Sequence, residues 1–248
     1  TDITSAAQAK ALREKLVDQK FSITSVKTGE RRKNPQPPFT TSNLQQEAVR
    51  KLSFTTKKTM QIAQMLYEGV DIEGEGTVGL ISYIRTDSTR LSDEALTAAR
   101  DYISANFAPE YLPETPNIYK GRKNAQDAHE AIRPTHALFS PEKVKASLTR
   151  DQYRLYKLIY DRYLASQMTP AVYDTLAVEL GSGEAQFRFG GMKKKFAGFT
   201  VLYEESQDEP AEKESNLPKV QVGDQVTMKE LDAEQHFTQP PARYTEAS

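Results

Sequence analysis

The sequence predicts an α+β chain in which one β-rich domain, drawn from both ends of the polypeptide, is interrupted by a mainly helical insert. Three observations carry this. Residues 21–26 and the stretch from Val172 onward are rich in β-branched and aromatic residues punctuated by Gly and Asp turns. Between them, apolar positions recur at helical spacing behind Ser and Thr caps. The first change of texture falls on Pro35, Pro37 and Pro38, which can continue neither element and read as a domain boundary. The expected division is 1–39 and 170–248 for the β-rich domain and 40–169 for the insert.

Taken in order, Thr4 or Ser5 caps a helix that sets Ala9, Leu12 and Leu16 on one face. A strand follows over 21–26, broken by the basic and proline-rich run 31–38. Ser42 with Gln45 fits a capping box leading into Leu44, Ala48 and Leu52. After a short turn at 53–55, a second helix carries Ile62, Met65 and Leu66 and stops at Gly69, so the pair reads as a helix-turn-helix-like unit. The acidic, glycine-bearing run 71–76 reads as a solvated turn rather than a metal site, because hard cations want more oxygen ligands than it supplies. The helix over 93–106 buries Leu96, Ala99 and Ile103. Ser140-Pro141 and Thr149 with Gln152 open two more helices, the second burying Leu155, Leu158, Ile159 and Tyr163. Strands are expected at 172–180, 185–189, 196–203 and 220–228, with a charged loop at 204–214.

Composition narrows the class. The chain has 248 residues, 38% of them apolar, with no run long enough to span a membrane. It lacks cysteine, which excludes disulfides and thiolate metal sites and fits a reducing cytoplasm. Its first residue is Thr1, and the chain reads as a piece of a longer one. Net charge is only −1, yet residues 1–170 hold 25 basic and 20 acidic residues and residues 171–248 hold 8 and 14. A basic part of this kind is compatible with a local phosphate-binding surface, not with a general nucleic-acid coat.

The chemistry concentrates in Tyr83-Ile84-Arg85-Thr86-Asp87-Ser88, which leaves an apolar segment and enters a helix start at Ser92. A phenol is a possible nucleophile toward a phosphodiester. Arginine offers a forked set of donors suited to phosphate oxygens. A phenol with an ordinary pKa of about 10 is protonated at neutral pH, so attack needs proton removal and stabilisation of the charge that grows on phosphorus. His129 and Arg133 are four apart, so a helical turn ended by Pro134 would project both from one face. Gln64 and Glu68 share a face of the second helix in the same way.

Read together, residues 83–88, Asp127-Ala128-His129-Glu130-Ala131-Ile132-Arg133-Pro134-Thr135, and Phe39-Thr40-Thr41-Ser42-Asn43-Leu44-Gln45-Gln46-Glu47-Ala48 resemble the bacterial type IA DNA topoisomerases. The segments Gln167-Met168-Thr169-Pro170-Ala171 and 240–248 are similar to that family too, so the resemblance covers essentially the whole chain. It implies a β-rich arch formed on either side of a helical domain that carries the catalytic tyrosine. It further implies that Tyr83 attacks one strand of single-stranded DNA to give a 5′-phosphotyrosyl bond, that a second strand passes, and that religation relaxes negative supercoils. Arg85 would hold the phosphate and Asp87 would orient Arg85 or His129. His129 and Arg133 would position the cleaved strand, with Gln64, Glu68 and Arg243 as further DNA-contacting residues. Arg90, Lys120, Arg122 and Lys123 add positive charge to the insert. The family's Mg2+ is held by carboxylates of a Toprim domain, and no stretch of this sequence matches that motif. The resemblance thus implies a fragment inactive by itself, whose partners are single-stranded DNA and the remaining domains of one enzyme, in the cytoplasm and associated with the nucleoid.

Two other classes compete. Tyrosine recombinases and type IB enzymes pair a tyrosine with His and Arg, but there the tyrosine follows a His-x-x-Arg element, whereas Tyr83 precedes a His-x-x-x-Arg spacing. A non-enzymatic DNA-binding module built on the helix-turn-helix-like pair is the alternative outside catalysis.

Overall fold

A computed structural model describes residues 3–119, 129–183, 185–206, 215–240, 243, 244, 246 and 247. Lys120, Arg122, Lys123, Asp127 and Ala128 of the sequence expectations lie outside these residues, as does 207–214 of the charged loop. The chain divides into two compact units. One comprises Thr1–Arg31, Val172–Lys195 and Glu212–Ala242; the other comprises Arg32–Ala171, Phe196–Ala211 and Arg243–Ser248.

The first unit holds a sheet of four strands in the order β5-β4-β1-β6: β1 Phe21–Lys33, β4 Ala171–Ser182, β5 Ala185–Phe196 and β6 Gln225–Val226. β1 and β6 are antiparallel. The Thr24 hydroxyl bonds the Glu179 carbonyl while Gly29 lies against Thr175, so β1 and β4 also run in opposite directions. Ile23, Leu176 and Val178 form a small core. The Phe21 and Phe187 rings meet edge to face at 5.4 Å. Helix α1, Ala6–Leu16, is capped by Ser5 as expected, but it buries no residue, and Leu12 on its apolar face is exposed.

The strand expectations need four corrections, one being that β5, expected over 185–189, continues to Phe196. β1 runs on through Arg31, Arg32 and Lys33, because charged side chains are tolerated along a mostly solvent-facing strand, and it ends before the prolines. Only Gln225 and Val226 of 220–228 find a partner strand. Residues 196–203 are rich in aromatic and β-branched residues and are expected as a strand, yet Gly198–Val201 is a 3-10 turn of the second unit. Gly198 sits at φ +49, and a Cβ there would lie 2.5 Å from the Pro170 backbone, so this close left-handed turn requires glycine.

The second unit is helical around α6, Arg150–Ser166, whose Leu155, Tyr156, Ile159, Tyr163 and Leu164 are fully buried. A capping box between Thr149 and Gln152 starts it, satisfying donors that the first turn leaves free. Against it pack α3, Thr56–Glu68, and α5, Pro141–Val144, as well as α4, Asp93–Asn106. Ser92 caps α4 and Ser140 caps α5. The cap of helix α2, Thr41–Glu47, is Thr40, two residues before the expected Ser42, and its hydroxyl accepts from the Asn43 N–H. A π-helical turn, Ala48–Leu52, follows and ends at Ser53 with φ 57. The acidic run 71–76 turns between β2, Val70–Ile72, and β3, Gly76–Val78, an antiparallel pair.

One buried charge stands out in this unit. Arg162 on α6 is 1% exposed. Its Nε donates to the Pro37 carbonyl at 2.6 Å, its Nη1 pairs with Glu205 at 3.2 Å, and its guanidinium lies 4.9 and 5.0 Å from the Phe39 and Tyr203 ring centres. The Tyr203 hydroxyl donates in turn to Glu47 of α2 at 2.6 Å.

Candidate active site

Three separated stretches converge on the second unit's tyrosine loop. Phe39 pairs with Ile132 and Ile81 pairs with Pro134 in isolated antiparallel bridges. The Ser82 N–H donates to the Arg133 carbonyl at 2.9 Å and its hydroxyl to the Ala131 carbonyl at 2.7 Å, while the Arg133 N–H returns to the Ser82 hydroxyl at 3.0 Å. Past Tyr83 the backbone is held by Thr41 at the start of α2. Thr41 and Thr86 exchange bonds of 2.9 Å each way, and the Thr41 hydroxyl donates to the Ile84 carbonyl at 2.7 Å.

Between these anchors, burial alternates residue by residue. Ile84, Thr86 and Ser88 are 2%, 7% and 4% exposed, whereas Tyr83, Arg85 and Asp87 face solvent. These three line an open depression of about 640 Å³ together with Thr41, Ser42, Thr86 and His129. The Tyr83 ring is contacted by His129 at 5.1 Å between centroids and, edge to face, by Tyr67 at 5.7 Å. The local chemistry is a phenol, a guanidinium, an imidazole and hydroxyls around one solvent-filled hollow.

Comparison among the tyrosines sharpens the assignment. On α6 the hydroxyls of Tyr156, Tyr160 and Tyr163 donate to the carbonyls of Phe139, Ala137 and Ala95 at 2.6, 2.5 and 2.6 Å. Burial pushes Tyr163 up to about 12 and raises Tyr156 and Tyr160 as well. Tyr119 is pushed up to about 12 in the same way, with its hydroxyl on the Ser166 carbonyl. These phenols are packing groups with committed hydroxyls. Tyr83 is 39% exposed beside an arginine and a histidine.

Tyr83, Arg85, Asp87 and His129 are thus brought together. Among the described residues no hydrogen bond or ion pair joins Asp87 to Arg85 or His129, so the orienting contact expected of Asp87 is not formed here. The expected helical turn at 129–133 is extended chain instead, because Phe39 and Ile81 capture its backbone in the two bridges. Arg133 accordingly does not share the hollow with His129. Its Nε donates to Glu130 at 2.7 Å and its Nη1 to the Pro134 carbonyl at 2.9 Å. Burial would raise the Glu130 pKa, but the Arg133 hydrogen bond and charge, with the Ser92 N–H, hold it below the usual carboxylate range.

Gln64 donates to Glu68 at 2.5 Å on the outer side of α3, and neither lines the hollow. Arg243 is exposed and likewise outside it. Thr41, Ser42 and Tyr67 were not expected at the site from the sequence. The run Thr40-Thr41-Ser42 was the available signal for the first two, and no spacing argument points to Tyr67. Among the described residues no three His, Asp or Glu side chains converge as a metal site would require, so the donor set present does not fit Mg2+. No described helix is long and apolar enough to cross a membrane.

A model of the DNA topoisomerase family matches residues 1–248. The chain is also similar to the full-length topoisomerase I from Thermotoga maritima, solved in a monoclinic crystal form. Identity is 35% and the TM-score 0.74, over 91% of this chain and 36% of that one, so the chain spans about a third of that protein's length. With the family matched from end to end and the tyrosine motif standing open on the surface, this chain belongs to the bacterial type IA DNA topoisomerases.

Proposed function

We propose that this chain is the tyrosine-bearing part of an enzyme that cleaves one strand of single-stranded DNA, passes a second strand and reseals the first, relaxing negative supercoils. The observation that carries the reading is the exposed Tyr83 beside Arg85 and His129 in one hollow, whereas the phenols of Tyr156, Tyr160 and Tyr163 on α6 are committed to carbonyls.

Tyr83 is the nucleophile. Its oxygen bonds to phosphorus as the bond from phosphorus to the 3′ oxygen breaks; the phenol gives up one proton and the departing 3′ oxygen takes one up. The product is a 5′-phosphotyrosyl bond and a free 3′ hydroxyl, and the reverse step reseals the strand. Arg85 directs its fork at the non-bridging oxygens, where charge grows in the transition state. His129 and the Ser42 hydroxyl border the same hollow and contact the flanking phosphates. Arg133, Gln64, Glu68 and Arg243 act outside it as contacts to more distant nucleotides. Mg2+ belongs to carboxylates outside these residues. The unit Thr1–Arg31, Val172–Lys195 and Glu212–Ala242 corresponds to the arch, and the chain alone does not relax DNA.

The test is trapping of a covalent adduct on a single-stranded oligonucleotide by the full-length enzyme. Tyr83→Phe should abolish the adduct and leave oligonucleotide binding within about twofold, since only a hydroxyl is lost. An adduct that persists in that variant refutes the assignment. A non-enzymatic DNA-binding module would give binding with salt dependence and no adduct from any form of the protein.

A further inference from the structure

The route by which the chain reaches Tyr83 begins at the end of α3. Gly69 closes that helix at φ +132, and after the β2-β3 turn the chain returns along its last turn. There the Leu80 N–H donates to the Leu66 carbonyl at 2.7 Å, satisfying an acceptor that the helix end leaves free. Gly79 passes so close that a Cβ on it would lie 2.7 Å from the Tyr67 carbonyl oxygen. Tyr67 and the backbone leading to Tyr83 are therefore fixed to each other.

Tyr67 lies off the buried face of its helix, as does Met65. α3 buries Thr56, Thr59, Ile62, Ala63 and Leu66, whereas Tyr67 stays 39% exposed with its edge-to-face contact directed at the Tyr83 ring. Among the described residues its hydroxyl makes no hydrogen bond. Nor does that of Tyr83, so no hydrogen bond fixes χ1 and χ2 of the phenol, and the rings of Tyr67 and His129 stand against it. An attacking oxygen must stand about 3–3.5 Å from phosphorus and in line with the leaving group, a condition that a freely turning side chain meets only part of the time.

We infer that Tyr67 is a positioning residue that holds the Tyr83 ring in its attacking orientation through the edge-to-face contact. This rests on Tyr83 being the nucleophile. The aromatic ring, not the hydroxyl, performs the task, and Tyr67 acts through Tyr83 without touching the scissile phosphate.

The full-length enzyme with Tyr67→Ala and Tyr67→Phe tests this in three measurements. Single-turnover cleavage of a single-stranded oligonucleotide should fall roughly 3- to 10-fold in Tyr67→Ala, the range that one aromatic pair supports, and stay within about twofold in Tyr67→Phe. The Kd for the same oligonucleotide should remain within about twofold in both. With 3-fluorotyrosine placed at position 83, the fluorine resonance should shift in Tyr67→Ala and be kept in Tyr67→Phe. Should Tyr67→Ala fail to fold, Tyr67→Leu, which keeps bulk but no ring, replaces it with the same expectation. An unshifted resonance, or a shifted one with wild-type cleavage, overturns the inference. So does a loss carried wholly by Kd, which would mark Tyr67 as a base-stacking contact. Failure of the nucleophile reading is seen separately, as an adduct surviving in Tyr83→Phe.

Discussion

Replacing Arg162 by methionine tests what the buried guanidinium does for the helical unit. Methionine keeps the unbranched stem and removes the charge, so the change isolates the polar contacts from most of the packing. The hydrogen bond to the Pro37 carbonyl is charge-assisted and contributes about 1.5–3 kcal/mol. The faces of Phe39 and Tyr203 each add about 0.5–2 kcal/mol of cation–π attraction. The Glu205 pair adds under about 1 kcal/mol, because the Glu205 side chain is 34% exposed and screened by water. Opposing these is desolvation of the guanidinium, several kcal/mol that methionine does not incur. The balance we expect is a loss of about 2–3 kcal/mol, much of it from leaving the Pro37 carbonyl without its donor. For a chain of this size that is roughly 4–12 °C in Tm, followed by far-UV circular dichroism. An unchanged or raised Tm would mean that desolvation cancels the contacts and that Arg162 is no anchor.

Arg85→Lys in the full-length enzyme should lower single-stranded cleavage by about tenfold or more with modest change in binding, since a point charge replaces a planar fork; a rate within about twofold of wild type would make Arg85 a bystander. Gly79→Ala should destabilise by about 1–3 kcal/mol in urea unfolding, because its Cβ meets the Tyr67 backbone oxygen at 2.7 Å and backbone must move; a neutral result would show that the close approach relaxes freely. Glu130 has a pKa held below the carboxylate range, so its ionised form favours the folded state. Its contribution is complete above the unfolded-state value of about 4.3 and is lost as pH falls through the lower folded value. Glu130→Gln should therefore lower Tm at pH 7 and flatten the acid side of the Tm profile; an acid limb as steep as in wild type would refute the pairing with Arg133.

What the sequence made legible was local. The helix starts at Ser92, Ser140 and Thr149 were readable because a cap is a contract between residues two or three apart. The motif itself, Tyr83 to Ser88, was legible, but its residue-by-residue alternation of burial, with Thr86 and Ser88 inward, was not. Where reading failed, a distant backbone decided. Residues 129–133 could have turned into a helix, but Phe39 and Ile81 offered them bridge partners. Residues 196–203 carry a strand's aromatic and β-branched composition, overruled by the fit of Gly198 against Pro170. Tyr67 was invisible for the same reason, since its meaning lies in a ring that arrives only after the chain has turned through β2 and β3.

The anchors around the tyrosine loop share a design that separates rigidity from availability. Thr41 fastens the backbone at Ile84 and Thr86, Ser82 is tied to Ala131 and Arg133, and Leu80 is tied to α3, so the main chain on both sides of Tyr83 is fixed by hydrogen bonds. The outward side chains are left out of that network. A hydroxyl committed to a carbonyl, as on Tyr156 or Tyr163, would have to give up that bond before attacking, and burial further opposes its ionisation. Among the described residues, the Tyr83 hydroxyl and the Arg85 fork carry no such bond. On the function proposed above, their first strong partner is the phosphate itself, delivered to a backbone that does not have to reorganise around it.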